Sequence, residues 1–405
     1  MRMPLYIIAI IVLFTGYLFA QQTSNVFIVV IDGARYSETF GDTSHKFIPR
    51  LWNDLRPQGT IYTSFYVDGY TSTNPGHSSI LTGKYQYITN DGTERPHEPT
   101  LFEYYRKEKS APVEDCYVIL GKDKLDILGH SDRPDYGYQY RASIKYSSSE
   151  YDDKITLDNF RSVIASSHPH LAIINFAQTD HAGHSGVWSD YVNSIRNVDS
   201  LIFELWNIIQ SDSIYQGKTT MIVTGDHGRH LDNVKDGFKS HGDSCDGCRH
   251  VSTMIIGPDT PRGYVDSNKT TQIDIAPTIG KLLKFVPIYS EGSVINSAII
   301  TGIKSESYAL PREIKLMGNF PNPFNPSTTL QFSLPCTDFV TLKIYNLIGE
   351  EIANLFNGVL TPGTHNVEWN ATGFSSGVYV YTLTTNFLEG AGEKSTIMSK
   401  IILNK

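Results

Sequence analysis

The sequence has no cluster of basic residues and, beyond residue 20, no hydrophobic run long enough to cross a membrane. With a net charge of −8, these absences give no support for nucleic-acid binding and exclude a polytopic membrane protein. Hydrophobic residues make up 40% of the chain and charged residues 19%, as in ordinary globular proteins. At about 100–200 residues per domain, the 405 residues suggest two or three domains.

Cysteine is also scarce, since the chain has only four: Cys116, Cys245, Cys248 and Cys336. The two cysteines of "CDGC", Cys245 and Cys248, are close enough in sequence for a tight disulfide, which an exported chain can hold. The same pair could instead join His241 or His250 around a structural zinc ion. We favour the disulfide. Cys336 lies far along the chain and is expected to be free or unrelated to this pair.

The first residues, "MRMPLYIIAIIVLFTGYLFAQQ", place Arg2 before an apolar run that ends at Ala20, a small residue ahead of a polar segment. This order is typical of a secretory signal peptide, which we assign to residues 1–20. An uncleaved anchor helix is the alternative, although the run is short for a span of about 20 residues. Leu18 makes the cleavage site imperfect because it is not a small residue. We therefore predict export, with no transmembrane segment after cleavage.

Five apolar runs bounded by polar turns predict strands that are buried on both faces. They occupy residues 25–31, 116–120, 171–177, 219–225 and 252–258. Helical patterns alternate with these runs; in the segment 191–209, apolar residues recur every three or four positions. The alternation predicts an α/β domain with a mostly parallel sheet flanked by helices, which we place at 22–300.

The character of the sequence changes near residue 300. A segment rich in proline and asparagine leads into the runs "VTLKIYNLIGEEI", "THNVEW" and "GVYVYTLTT", in which hydrophobic and polar residues alternate between glycine and proline turns. This pattern predicts a small all-β sandwich. We place a linker at 301–312 and the β-domain at 313–405.

Acidic and histidine residues follow three of the predicted strands. They are Asp32 after the first, Asp180 and His184 on a loop after the third, and Asp226 and His227 after the fourth. Because ligands of such sheets bind beyond the carboxyl ends of the strands, we expect these side chains to meet. Carboxylate and imidazole groups together suit zinc or manganese. The full candidate set fits two ions about 4 Å apart: Asp32, Thr73, Asp180, His184, Asp226, His227 and His241.

Five segments occur in the order that the alkaline phosphatase superfamily has: "VVIDGAR", "TNPGHSSILTG", "DHAGH", "VTGDHG" and "SHG" followed by "IIGP". Residues 25–290 resemble that superfamily, most closely its nucleotide pyrophosphatase/phosphodiesterase-like and threonine-nucleophile phosphatase branches. The resemblance implies two zinc ions, and the donor types also admit manganese. By this resemblance, one ion would be held by Asp32, Thr73, Asp226 and His227, and the other by Asp180, His184 and His241, with His250 as the fallback for His241.

Thr73, in "TNPGHSS", is the candidate nucleophile. A neutral hydroxyl is a poor nucleophile, but metal coordination lowers its pKa. Asn74 and Pro75 are expected to start a helix whose free N–H groups face the phosphate. A simple helix cap is the structural alternative, and His77 is interpreted as packing rather than as a ligand. The sulfatase branch needs a Cys/Ser-x-Pro-x-Arg segment to form formylglycine. Because Thr73 and His77 occupy the first and last of those positions, a formylglycine sulfatase is not expected.

Lys122 and Lys124 lie in "LGKDKLDIL", just after a predicted strand. In an extended chain both side chains point the same way, and two ammonium groups would neutralise the oxygens of a phosphoryl dianion. A solvated lysine pair is the alternative. Phosphate-monoester and phosphonate hydrolases of the resembled superfamily carry Lys-x-Lys or Lys-x-Arg here, which implies a monoester or phosphonate substrate. Asn90, in "ITNDG", is a further candidate for substrate binding or a plain turn residue.

Residues 313–405, which include "NFPNPFNP" and end in "KIILNK", resemble the C-terminal sorting domain of type IX secretion substrates. The resemblance implies an Ig-like β-sandwich that engages the secretion machinery. A carbohydrate-binding or spacer domain is the alternative.

Together these features predict a secreted or cell-surface two-zinc phosphohydrolase. It would cleave phosphate monoesters or phosphonates of small molecules through a phospho-threonine intermediate. A phosphodiesterase or nucleotide pyrophosphatase on the same site is one alternative, and a non-catalytic surface-displayed binding protein is another. No nucleic-acid scaffold is expected as a partner. The tyrosine-rich segment 130–155 could cover the site or form a surface insertion.

Overall fold

The computed structural model describes residues 21–300, 314–335, 338–360, 363–387 and 395–404. The predicted signal peptide, the predicted linker and Cys336 lie outside the described residues. Within the described ranges, no helix is both long enough and apolar enough to span a membrane.

An eight-stranded sheet organises the first 300 residues. The strands of this region are β1 (Asn25–Ile31), β2 (Gly59–Tyr62), β3 (Phe65–Tyr66), β4 (Cys116–Ile119), β5 (Ser143–Lys145), β6 (Leu171–Phe176), β7 (Thr219–Thr224), β8 (Thr253–Ile256), β9 (Tyr264–Asp266) and β10 (Thr270–Thr271). The spatial order is β5-β4-β6-β1-β7-β8-β2-β9, while β3 and β10 pair with each other. All five apolar runs of the sequence are strands of the large sheet, namely β1, β4, β6, β7 and β8.

The large sheet is mixed but mostly parallel. Among its described strands, only β8 runs antiparallel to its neighbours, β7 and β2. Every other neighbouring pair is parallel. The predicted α/β class is therefore confirmed.

Helices cover both faces of this sheet. They are α1 (Thr73–Thr82), α2 (Leu101–Lys109), α3 (Asp153–Ser167), α4 (Gln178–Ser185), α5 (Trp188–Ser211), α6 (Asp246–Arg249) and α7 (Ile275–Leu283). Ile28 of β1 packs into a core with α1, α2 and α7, and its neighbour Val29 packs into a second core with α3 and α5. Successive side chains of a strand point to opposite faces. A central strand with a core on each side is therefore apolar throughout, which is the pattern of "NVFIVVI".

The tyrosine-rich segment 130–155 extends the sheet over part of its length. Its residues Ser143–Lys145 form β5, the edge strand beside β4. Nearby, the ammonium of Lys107 lies 3.9 Å from the ring centroid of Tyr136, a cation–π contact on the surface of α2. These parts of the segment are surface structure, as one of the two alternatives expected.

The C-terminal region is all-β and antiparallel. Its strands are β11 (Lys315–Phe320), β12 (Ser327–Leu334), β13 (Asp338–Tyr345), β14 (Glu351–Leu360), β15 (Gly363–Asn370), β16 (Gly377–Phe387) and β17 (Ser395–Leu403). They form two sheets, β11-β12-β15 and β14-β13-β16-β17. Phe332 and Trp369 from the first sheet share one core with Leu342 and Tyr381 from the second. The alternation of buried and exposed residues along β13 is the pattern that predicted this region.

Asp199 of α5 joins two segments that are distant in sequence, and it generates a prediction about stability. Its buried carboxylate accepts hydrogen bonds from the backbone N–H groups of Arg50, at 2.9 Å, and Leu51, at 2.8 Å. In Asp199→Ala both donors would lose their partner. We expect the free energy of unfolding to fall by roughly 1–3 kcal/mol, measured by urea denaturation.

Asp158→Ala is the matched control. Asp158 is exposed and pairs with Lys154 one turn away on α3, and such surface pairs contribute less than about 0.5 kcal/mol. Equal unfolding midpoints for the two variants would contradict the role given to Asp199.

Candidate active site

Four neighbouring strands deliver candidate residues to one edge of the sheet. β4, β6, β1 and β7 lie side by side and run in the same direction, so their carboxyl ends meet. Asp32 directly follows β1, and Asp226 and His227 follow β7. Lys122 follows β4, and α4 follows β6. The parallel strands therefore bring candidate side chains from four separate parts of the chain to one edge of the sheet.

Asp32, Asp226 and His227 form the first candidate metal group. All three are fully buried, and His227 Nε2 lies 3.7 Å from Asp32 Oδ1 and 3.4 Å from Asp226 Oδ2. Asp32 Oδ1 and His227 Nε2 lack a hydrogen-bond partner, although burying an unpaired polar atom costs free energy. A divalent cation with nitrogen and oxygen ligands fits the point where the three atoms converge.

Asp180, His184 and His241 form the second group. His184 Nε2 lies 3.4 Å from Asp180 Oδ1, His241 Nε2 lies 3.5 Å from the same oxygen, and the two histidine nitrogens are 3.2 Å apart. The expectation that Asp180 and His184 lie on a loop was wrong, because both belong to α4. Residues four apart share one face of a helix, so the "DHAGH" spacing presents the two side chains to the same point.

The histidine rings are oriented as metal ligands require. Nδ1 of His227 bonds the carbonyl of Gly228 at 2.9 Å, and Nδ1 of His241 bonds the carbonyl of Thr71 at 2.9 Å. A carbonyl only accepts, so each Nδ1 carries the proton and each Nε2 carries the lone pair. Burial, together with the nearby His227, lowers the pKa of His241 to about 3. His241 is therefore the neutral imidazole that metals bind.

Two buried cations balance the carboxylates. The ammonium of Lys122 lies 2.9 Å from Asp32 Oδ2 and 2.6 Å from Asp180 Oδ2. The guanidinium of Arg229 pairs with Asp180 Oδ1 and donates to the Asp180 backbone carbonyl at 2.7 Å. Burial opposes ionisation of Lys122, but the carboxylates of Asp32 and Asp180 outweigh it and raise the pKa of Lys122. Lys122 is thus a fixed positive charge between the two candidate metal groups.

Thr73 is the first residue of α1, and its side chain is buried. Lys122 Nζ lies 3.5 Å from Thr73 Oγ1. The helix begins two residues earlier than expected, since Asn74 was the expected N-cap residue. Ser72 is the N-cap residue and Asn74 lies inside the first turn, because Gly76 N already donates to the Ser72 carbonyl at 2.8 Å.

The chain at Lys122 and Lys124 is not extended, which was the condition for both side chains to point the same way. The chain turns into a 3₁₀ helix at Asp123–Gly129 rather than staying extended. Lys124 Nζ donates to the carbonyl of Asn90 at 3.0 Å and to Asn90 Oδ1 at 3.1 Å. Asn90 Oδ1 also accepts from the backbone N–H of Asn74 at 2.9 Å. Asn90 and Lys124 thus lie together beside the N-terminus of α1 and bond each other rather than the carboxylates.

Three further residues hold the candidate ligands in place. Arg229 fixes Asp180, as described. Asn175 Nδ2 donates to Asp32 Oδ2 at 3.1 Å and contacts His77 Nε2 at 3.0 Å. His77 Nδ1 lies 2.8 Å from the Thr73 carbonyl and 3.3 Å from Asp226 Oδ2. Sequence reasoning left out Arg229 and Asn175, although Asn175 is a polar residue in the otherwise apolar run "LAIINFA", which is a usable signal.

The thiols of Cys245 and Cys248 are free in the structure, so the disulfide favoured from "CDGC" is not formed. Neither histidine considered as a zinc partner lies with them. His241 belongs to the second metal group, and His250 stacks between the rings of Tyr36 and Tyr66 at centroid distances of 3.8 and 4.6 Å. His250 is therefore also not the fallback ligand for the second group.

The fold and the site together define an enzyme of the alkaline phosphatase superfamily, whose members are metal-dependent. Residues 24–285 match the family model described as "Sulfatase", and the chain belongs to that family. Residues 319–404 match the "Secretion system C-terminal sorting domain". This tail directs type IX secretion to the cell surface or the outside of the cell.

Solved structures share the fold at low sequence identity. BT1596, a 2-O GAG sulfatase, has a TM-score of 0.54 and 12% identity, covering 86% of this chain and 85% of that chain. A mutant of alkaline phosphatase PafA has a TM-score of 0.53 and 10% identity, covering 69% and 99%. The phosphonate monoester hydrolase SpPMH from Silicibacter pomeroyi has a TM-score of 0.50 and 13% identity, covering 93% and 88%.

One curated relative matches a single segment. It is a 2,3-bisphosphoglycerate-independent phosphoglycerate mutase from Gracilaria tenuistipitata var. liui, 29% identical over 114 residues, which are 27% of this chain. The match spans 20% of that relative's length.

The contact between α1 and the end of β7 generates a prediction. A Cβ added to Gly76 would overlap the backbone carbonyl of Asp226, so α1 can approach the metal ligands only with glycine here. We expect Gly76→Ala to push α1 outward, to lower the free energy of unfolding by roughly 1–3 kcal/mol, and to reduce bound metal. Urea denaturation and elemental analysis of the purified protein measure both effects.

Gly358→Ala on β14 is the control, since its Cβ would meet atoms no closer than 3.5 Å. If Gly76→Ala retained the stability and metal content of this control, the proposed close approach would be refuted.

Proposed function

We propose that this chain hydrolyses phosphate monoesters or phosphonates, with Thr73 as the nucleophile and two zinc ions, or manganese, as cofactors. One observation carries the proposal. A threonine hydroxyl at a helix N-terminus lies 3.5 Å from a buried ammonium group that bridges two groups of metal-ligand side chains. A hydroxyl, a fixed cation and paired carboxylate–histidine groups are the parts that phosphoryl transfer to a side chain requires.

The candidate ligands divide into two sets. Asp32, Asp226 and His227, with Thr73, would hold one ion, and Asp180, His184 and His241 would hold the other. Bound divalent ions supply Lewis-acid chemistry, which lowers the pKa of a coordinated hydroxyl and offsets charge on the transferred group. The unpaired Asp32 Oδ1 and His227 Nε2 support the first set.

Thr73 Oγ1 attacks phosphorus while the bond to the leaving oxygen breaks, which leaves phosphate esterified to Thr73. Water then displaces the phosphate and restores the hydroxyl. As the first residue of α1, Thr73 lies where free backbone N–H groups and the helix dipole favour an anion. Lys122 is close enough to Oγ1 to contact the phosphoryl oxygens during transfer.

A sulfate-ester hydrolase is the second candidate, favoured by the family and by the likeness in fold to a 2-O GAG sulfatase. Two residues argue against it, because Thr73 and His77 replace the Cys/Ser and Arg that formylglycine formation needs. Charge argues in the same direction. The ammonium groups of Lys122 and Lys124 favour the dianion of a phosphate monoester over the monoanion of a sulfate ester or a phosphodiester.

We also propose the division of the chain. The catalytic domain would occupy 22–300, a linker 301–312, and the sorting domain 313–405. In this division the catalytic domain binds a small phosphorylated substrate, and the sorting domain binds the type IX secretion machinery.

Removing the nucleophile tests the first step. Thr73→Ala is expected to reduce turnover of nitrophenyl phosphate by about 10³-fold or more, because no other hydroxyl replaces it. Thr73→Ser keeps a hydroxyl and should retain a measurable part of the activity. Wild-type protein can be quenched with acid during turnover and examined by mass spectrometry. We expect a phosphate ester on Thr73. Full activity in a folded Thr73→Ala variant would rule out this nucleophile.

The substrate class is tested by comparing nitrophenyl phosphate, its diester and nitrophenyl sulfate. We expect the phosphate monoester to have the largest kcat/KM. Lys122→Ala should lower that value by about 10²-fold and should affect the diester less. Lys281→Ala, which removes an exposed lysine from α7, should change neither.

Three outcomes would replace the proposal. Preference for the sulfate ester would favour the second candidate, and preference for the diester would favour a phosphodiesterase. A metal-loaded protein that turns over none of the three esters would point to a non-catalytic binding protein.

A further inference from the structure

Outside the candidate active site, four metal-binding side chains converge in the connection between β7 and β8. They are His230, Asp243, Cys245 and Cys248, and each offers one ligand atom within 4.8 Å of the others. We propose that they form a third metal site, a structural zinc site with one nitrogen, one oxygen and two sulfur ligands. Four protein ligands and no open position are typical of structural rather than catalytic zinc.

His230 provides the strongest indication of a ligand. Its side chain is buried, with 1% of the residue exposed, yet Nε2 has no hydrogen-bond partner. Nδ1 bonds Asp236 Oδ1 at 2.9 Å, which fixes the ring and places the proton on Nδ1. The free Nε2 lone pair lies 3.2 Å from Asp243 Oδ2. In metal-ligating histidines one ring nitrogen bonds a carboxylate and the other is left for the metal, as Nδ1 and Nε2 are arranged here.

The two cysteines approach His230 from α6. Cys245 is the N-cap residue of this short helix and Cys248 lies in its only turn, so residues three apart share one side. The backbone N–H of Cys245 donates to Asp243 Oδ1 at 3.0 Å, which leaves the other carboxylate oxygen facing His230. Both thiols are free, and Cys248 is buried.

The donor types select the metal. Thiolate sulfur is a poor ligand for calcium and magnesium and a good one for zinc. Lys235 pairs with Asp243 Oδ2 at 2.7 Å, but its side chain is 61% exposed, so it can leave that oxygen at little cost.

The site would position a ligand of the candidate active site. Asp243 comes two residues after His241, and His230 comes directly after Arg229, which holds Asp180. Between these points the backbone N–H of His230 donates to the Ser240 carbonyl at 3.1 Å, and that of Gly228 to the Cys248 carbonyl at 2.8 Å. A zinc ion across His230, Asp243 and the cysteines would join both ends of this connection and so fix His241.

Metal content of the exported full-length protein tests the site without any substrate. The protein is purified, loaded with zinc, freed of loose metal and analysed by elemental mass spectrometry. We expect Cys245→Ser with Cys248→Ser to contain about one zinc ion fewer per chain than the wild type. Cys116→Ser, which removes a buried cysteine of β4 remote in sequence, should keep the wild-type content. His184→Ala, which alters only the candidate active site, should leave the thiol-bound ion in place.

Cobalt reports the sulfur ligands directly. Cobalt-loaded wild type should show thiolate-to-cobalt charge-transfer absorption in the near ultraviolet, as should Cys116→Ser and His184→Ala. The double cysteine variant should lack it. Because the wild-type spectrum alone is informative, a variant that fails to fold does not prevent the test. No thiolate band in cobalt-loaded wild type, or a Cys245–Cys248 disulfide found by peptide mass spectrometry in the zinc-loaded protein, would overturn the proposal.

Discussion

Three buried carboxylates, those of Asp32, Asp180 and Asp226, are the constraint on which the rest of the site depends. Like charges in a water-excluding place repel and lack the solvation they have in bulk. Burial and the neighbouring Asp226 raise the pKa of Asp32. Burial acts in the same direction on Asp180, but Lys122 and other cationic neighbours hold its pKa well below the usual range. Cations at this edge of the sheet therefore stabilise the folded strand ends, and folding there is coupled to cation binding.

Much of the α/β region could be predicted because the sequence information for it is local. A strand buried on both faces is apolar in every position, and the residue that follows it lies at the site edge by geometry alone, as with Asp32 and Asp226. The C-terminal sheets could also be predicted from local sequence, because buried and exposed residues alternate along a strand such as β13. Short strands such as β5 and β9 were missed, since three residues carry no recognisable period. Arg229 and Asn175 act on partners far away in sequence, and Lys122 turns at a 3₁₀ helix, so spacing alone could not show where these side chains point.

The connection from β7 to β8 contains many of the candidate metal ligands. Asp226 and His227 lie at its start, Arg229 and His230 follow, and His241 comes just past its middle. An ordinary loop of this length would be one of the more mobile parts of a domain. Here Arg229 is fully buried and bonded to Asp180, and backbone hydrogen bonds join the two ends of the segment. In the proposed zinc site, His230, Asp243 and the two cysteines would add a cross-link between the two ends of this segment.

The single reversed strand, β8, has a topological consequence. A parallel neighbour of β7 would require the chain to travel back along a face of the sheet before the next strand could start. An antiparallel neighbour begins at the edge where β7 ends, so residues 225–252 can connect the two strands without crossing a face of the sheet. No crossover helix is needed in this segment, and several of its side chains, such as Asp226, His227 and His241, lie in the candidate site. Insertions or deletions in this segment can accordingly reshape the surroundings of the site without altering the order of the strands beneath it.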